Sequence, residues 1–200
     1  MDNAVSKRLN RYRTTPNVLT LLRICLAPFL VAAILNSHYA LGFVLFAAAG
    51  LTDALDGLLA RLLKQRSVLG EYLDPVADKL LLSTLFLVLL HKGLMPTTVT
   101  VLVFGRDVGI LVVAAILYAA AGRREFNPSL LGKANTLAQI AAVAVVLLKA
   151  MLLQHMVTPR WVDGCETWTL RATMALTVAS GLHYAWIAAR RTGANGHIAK

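Results

Sequence analysis

An all-α membrane protein with six transmembrane helices is the fold class this sequence predicts, and three observations carry the expectation. Hydrophobic residues make up 58% of the 200-residue chain and charged residues 15%, with a mean hydropathy of +0.65, which is outside the range of ordinary water-soluble domains. Apolar stretches recur, each close to the ~20 residues that a helix needs to cross a bilayer core. The connections between them are short and polar.

The first span is expected over 16–35, after a basic segment, 1–15, whose SKRLNRYR is patterned as a short amphipathic helix on the membrane surface. Asn36, Ser37 and His38 separate it from the second span, 39–63. The polar KQRS at 64–67 follows, and the third span is expected over 73–90. The tripeptide HKG leads to the fourth, 97–121, and GRREFNP to the fifth, 130–153. A longer connection around 155–166 precedes the sixth, 168–189. Residues 191–200 form a polar tail. With no composition shift, repeat or low-complexity tract, residues 16–190 read as one membrane domain.

Positive charge sets the orientation, because cytoplasmic loops carry the excess of Lys and Arg. Lys7, Arg8, Arg11 and Arg13 precede the first span, Lys64 and Arg66 follow the second, Arg123, Arg124 and Lys133 lie between the fourth and fifth, and Arg190, Arg191 and Lys200 follow the sixth. The opposite loops offer mainly Lys92 and Arg160. Both termini are therefore expected in the cytoplasm. The formal charge of +10 is spread over these juxtamembrane positions, which points to anionic membrane lipid as partner and away from nucleic acid. Cys25 and Cys165 fall in a span and an outer loop and imply neither a disulfide framework nor zinc, and no nucleophile triad or phosphate loop is present.

Charges inside apolar, helix-patterned sequence are expensive, so four aspartates and an arginine between Thr52 and Lys79 mark a functional site. At ~100° per residue Asp53, Asp56, Gly57, Ala60 and Arg61 fall within one arc of the second helix. Asp74 and Asp78, four apart, share a face of the third. A short connection, 62–73, is expected to bring the two faces together at the cytoplasmic end of the bundle. Four converging carboxylates require cations to stay ionised. Oxygen ligands without Cys or His select Mg2+, Mn2+ or Ca2+, and a metal pair bridging carboxylates to substrate phosphates suits a diphosphate. Arg61 adds a fork for phosphate oxygens, and Gly57 and Gly70 permit close approach of a ligand or of another helix.

Asp53, Asp56, Gly57, Ala60, Arg61, Gly70, Asp74 and Asp78 stand in the pattern D-x2-D-G-x2-A-R-x8-G-x3-D-x3-D. In this the chain resembles the CDP-alcohol phosphatidyltransferases over nearly its whole length. The resemblance implies attack of an acceptor hydroxyl on the lipid-bearing phosphorus of a CDP-alcohol, with release of CMP. It implies two Mg2+ or Mn2+ ions held by Asp53, Asp56, Asp74 and Asp78, with Asp78 also the general base. It places Gly57, Arg61, Ser67 and Gly70, and Asn17 and Thr20 of PNVLTLLR, against the CDP moiety of CDP-diacylglycerol. A homodimer in a bacterial plasma membrane, or less closely an organellar inner membrane, is also implied.

The acceptor is a lipid or a polyol phosphate. The chain resembles both the branch that uses phosphatidylglycerol to make cardiolipin and the branch that uses glycerol 3-phosphate. GRDVGILVVAAILY favours the first, since a second arginine usual in the other branch is replaced by Ala114, and GKANTLAQ at 132–139 resembles an element of the same branch. Arg106 and Lys133 are the candidate acceptor contacts, with Arg106–Asp107 also readable as a structural pair inside the bundle. A divalent-cation transporter is the reading from another class. It predicts acids distributed across the bilayer, whereas these cluster at one face.

Overall fold

A computed structural model describes the backbone of residues 15–63, 68–121, 130–157 and 159–195, and side chains at 24–52, 79–112, 130–157 and 159–186. Within these residues the chain is all α-helix with no strand: α1 (Thr15–Leu35), α2 (Tyr39–Leu63), α3 (Val68–His91), α4 (Thr97–Ala121), α5 (Leu130–Gln154) and α6 (Arg160–Asn195). The shortest, α1, has 21 residues, which at ~1.5 Å per residue makes it about 32 Å long, comparable to a bilayer core. Among the described residues α5 alone combines that length with sufficient hydropathy, 2.2 over its best window. Shorter apolar helical stretches occupy Ile24–Leu35, Tyr39–Thr52 and Lys79–His91.

Two expected boundaries are corrected. The third helix starts at Val68, well before residue 73, so only residues 64–67 separate it from α2. The last begins at Arg160 and runs to Asn195, absorbing much of the expected connection and the start of the polar tail. In both cases hydropathy reported where lipid contact was expected, while a helix continues through polar sequence because its backbone hydrogen bonds are internal. Asp163 in the first turn of α6 also complements the helix dipole. Cys165 therefore sits exposed on a helix and not in a loop. The expected amphipathic helix within 1–15 lies outside the described residues.

The chain divides into two compact units, Met1–Lys92 with Leu147–Thr158, and Gly93–Val146 with Pro159–Lys200. In the first, α1 packs against α2 and α3. Leu30 and Ile34 of α1, Phe46 of α2, Leu85, Phe86 and Leu89 of α3 and Leu147 of α5 are among its buried side chains. Gly42 permits the close approach of α1 and α2, since a Cβ there would lie 3.1 Å from Ile34 Cγ1.

Helices α1, α3 and α5 are each followed by a left-handed residue just past the last turn. Ser37 has φ 60°, Gly93 φ 70° and Met156 φ 54°. After α1, His38 N donates to Ala33 O and Ser37 N to Ile34 O; after α5, Val157 N donates to Leu152 O and Met156 N to Leu153 O. Both are Schellman closures, which satisfy carbonyls the helix leaves open. The ends are also tied to one another. Lys92 Nζ donates to Leu35 O at 3.2 Å and Ser37 Oγ at 2.8 Å, and Gln154 Nε2 donates to Ser37 O.

In the second unit α4 packs against α6. The N-terminal half of α5 joins α6 through polar contacts. Thr173 Oγ1 donates to Ala138 O at 3.0 Å, and Thr177 Oγ1 donates to Asn135 Oδ1 at 2.9 Å. Asn135, Thr173 and Thr177 are fully buried, in keeping with small polar side chains acting as interhelical links between apolar helices.

Large apolar side chains remain exposed on every helix, among them Phe29, Val44, Leu80, Leu111, Leu137 and Leu182. Water would penalise that surface.

Candidate active site

Helical register, with no side-chain geometry, locates the acidic motif. Asp53, Asp56, Gly57 and Arg61 lie on α2, and Gly70, Asp74 and Asp78 on α3. The helix is continuous through both sets, so the spacings of three and four residues do place each aspartate pair along one stripe. Asp56 lies ~10 Å from Leu63 along α2 and Asp74 ~10 Å from Val68 along α3, and Asp53 and Asp78 lie ~15 Å from the same residues. The side chains of these residues, and those of Asn17 and Thr20 on α1, lie outside the described residues, as does Ser67 altogether.

The motif also has a definite end within its unit. The C-termini of α1, α3 and α5 meet around Lys92 and Ser37. The aspartates lie on the last part of α2 and the first part of α3, at the other end of those helices. Asp53 is ~21 Å along α2 from its start beside that tie.

As a donor set, four carboxylates within two helical stripes fit hard divalent ions. Among the described residues no group of three His, Cys, Asp or Glu side chains offers a rival metal site.

The second candidate region is described in full atomic detail. Arg106 of α4 has a side chain 7% exposed, and its Nη1 lies 2.7 Å from Asp107 Oδ1. Its Nε and Nη2 both donate to Ser180 Oγ of α6, at 3.3 and 2.8 Å. Its Cζ is 5.8 Å from the Tyr184 ring centroid, a cation–π distance. A cavity of about 230 Å³ opens beside the guanidinium, lined by Gly105, Arg106, Gly109, Ile110, Gly181, Tyr184 and Ala185. Arg106 is thus ion-paired with Asp107 inside its unit, as the structural-pair reading expects, and it also borders a cavity. Ser180 and Tyr184 were not singled out in the sequence, since isolated small polar and aromatic residues are common in membrane helices. Their spacing of four around Gly181 was the available signal.

Lys133 is exposed near the start of α5. Its neighbours behave differently. Asn135 and Gln139 of the GKANTLAQ element are buried, and the amide nitrogens Asn135 Nδ2 and Gln139 Nε2 lack a hydrogen-bond partner. The element serves at least partly as the α5–α6 contact.

The CDP-alcohol phosphatidyltransferase family model matches residues 13–182. The chain belongs to that family. It is 36% identical over 152 residues to a human protein named cardiolipin synthase (CMP-forming), covering 67% of this chain and 50% of that protein. It is 32% identical over 190 residues to a Mycobacterium tuberculosis protein named "Probable phosphatidylglycerophosphate synthase", covering 92% of this chain and 85% of the relative. A rice chloroplast protein named CDP-diacylglycerol–glycerol-3-phosphate 3-phosphatidyltransferase 1 is 30% identical over 207 residues, which is 94% of this chain and 62% of that one. The chain spans about half the length of the curated cardiolipin synthases from human, rat and fruit fly that it matches. This family of membrane-associated transferases thus includes both acceptor branches expected from the sequence.

Proposed function

We propose that this chain transfers a phosphatidyl group from CDP-diacylglycerol to an acceptor alcohol, releasing CMP, in anionic phospholipid synthesis. The observation that carries the reading is the complete eight-position motif, held in unbroken helical register on α2 and α3. Asp53, Asp56, Asp74 and Asp78 would hold two Mg2+ or Mn2+ ions. When bound, such a pair neutralises diphosphate charge and favours departure of CMP. Arg61 engages phosphate oxygens, Gly57 and Gly70 admit the nucleotide, and Asn17, Thr20 and Ser67 complete its side of the site. Asp78 takes the proton of the acceptor hydroxyl as its oxygen bonds to the phosphorus bearing diacylglycerol and the bond to CMP breaks.

All six helices are proposed to span a bacterial plasma membrane, with both termini and the aspartates on the cytoplasmic side and two copies forming the working unit. Helix length, exposed apolar side chains and the positive residues flanking the motif end support this topology. Phosphatidylglycerol is the preferred acceptor. Asp107 compensates the charge of Arg106, and the cavity beside them is lined largely by glycine and aliphatic residues, an environment kinder to a lipid phosphodiester than to a free dianionic phosphate. Glycerol 3-phosphate is the alternative acceptor, supported by the long match to the M. tuberculosis relative.

Purified protein with CDP-diacylglycerol and Mg2+ or Mn2+, offered phosphatidylglycerol or glycerol 3-phosphate, should release CMP, faster with the lipid. Release with glycerol 3-phosphate alone overturns the acceptor preference. Silence with both, alongside metal-ion flux in proteoliposomes, would favour a cation carrier instead.

A further inference from the structure

We propose that Ser180 is a positioning residue for the acceptor, fixing the Arg106 guanidinium at the cavity before the acceptor arrives. This rests on the reading that Arg106 meets the acceptor's phosphate.

A guanidinium carries five N–H groups. Ser180 Oγ takes two of them, one from Nε and one from Nη2, and Asp107 takes one from Nη1. One N–H on each terminal nitrogen is left without a partner among the described residues, on a side chain that borders the cavity. Tyr184 lies against the guanidinium, and the arginine stem passes Gly181, where Cγ is 3.8 Å from the position a Cβ would take. The long side chain is thereby held at both stem and head by α6.

Ser180 is fully buried, and a serine in a membrane helix commonly returns its hydroxyl to its own helix. Thr167, on the same helix, does so by donating to Asp163 O. Ser180 instead presents both acceptor lone pairs to a cation from another helix. An arginine loses considerable rotamer freedom when it grips a ligand, and a side chain fixed beforehand does not incur that loss on binding. The expected signature is weakened acceptor binding without weakened donor binding.

The test measures CMP release in mixed micelles for wild type, Ser180→Ala and Ser180→Thr, varying acceptor at saturating CDP-diacylglycerol and then the reverse. Ser180→Ala should raise the acceptor KM roughly tenfold, the scale of a lost hydrogen bond to a charged group. The donor KM should stay unchanged, and Ser180→Thr, which keeps the hydroxyl, should restore the acceptor KM. An unchanged acceptor KM, an equal rise in both KM values, or failure of threonine to rescue overturns the proposal. If the wild type releases no CMP with any alcohol, the transferase reading fails separately. The fork is then judged by the rate at which phenylglyoxal labels Arg106, read by mass spectrometry. Faster labelling in Ser180→Ala than in wild type supports it, and equal rates sink it.

Discussion

Arg106 and Asp107 offer a double-mutant cycle whose outcome separates their structural role from any role in binding. Their side chains are 7% and 14% exposed and meet at 2.7 Å. At such burial, removing one partner leaves a charge that the other was compensating, at a cost of about 3 kcal/mol at the lower end of the observed range. Replacing both with apolar residues of similar size removes the two desolvation penalties together, so Arg106→Met with Asp107→Leu should cost less than either single change. For a chain of this length each kcal/mol corresponds to roughly 2–4 °C in Tm. Each single variant should therefore melt about 6–12 °C below wild type, and the double variant within a few degrees of it. Tryptophan fluorescence on heating in detergent reports the midpoints. Additive losses in the double variant would refute the reasoning, because they would mean that the pair is not energetically coupled. CMP release adds the second axis: the double variant should be stable and yet bind acceptor poorly.

Asp78→Asn should abolish CMP release while CDP-diacylglycerol binding, measured by isothermal titration in micelles, is retained; EDTA should abolish release in wild type, with Mg2+ or Mn2+ restoring it. Gly42→Leu drives a side chain against the buried Ile34, whose Cγ1 would lie 3.1 Å from even a Cβ, and should cost about 1–3 kcal/mol, seen as a lowered Tm with unaltered KM values. Lys92→Met removes the donor to Leu35 O and Ser37 Oγ and should cost about 1 kcal/mol, or roughly 2–4 °C, with catalysis unchanged.

Helices α2 and α4 occupy the residues that apolar length alone predicts, because polar residues flank both apolar runs. The starts of α3 and α6 were not legible. Residues 68–72 and 160–167 are polar enough to resemble connections, yet nothing in them prevents internal hydrogen bonding, and hydropathy carries no information on that point. The acidic motif was legible because charges in apolar sequence have few structural explanations. The partners of Arg106 were not, since Ser180 and Tyr184 are 74 and more residues away and gain meaning only when α6 packs on α4. The burial of Asn135 and Gln139 was equally illegible, since a polar pair inside an apolar helix shows its depth only once the helices pack.

Lys92 is an exception to the distribution of positive charge, a lysine on the side that should lack them. Its ammonium is bound to the open end of α1, so in the finished bundle it behaves as part of a helix terminus. That use has an order in time. Lys92 meets its partners across 57 and 55 residues, once α3 has been made, whereas Gln154 closes on Ser37 across 117, after α5. A chain delivered to the membrane from its N-terminus would therefore latch its first three helices before the fifth exists. The acidic pairs of α2 and α3 would be brought into register early, by a clasp at the far end of the same helices.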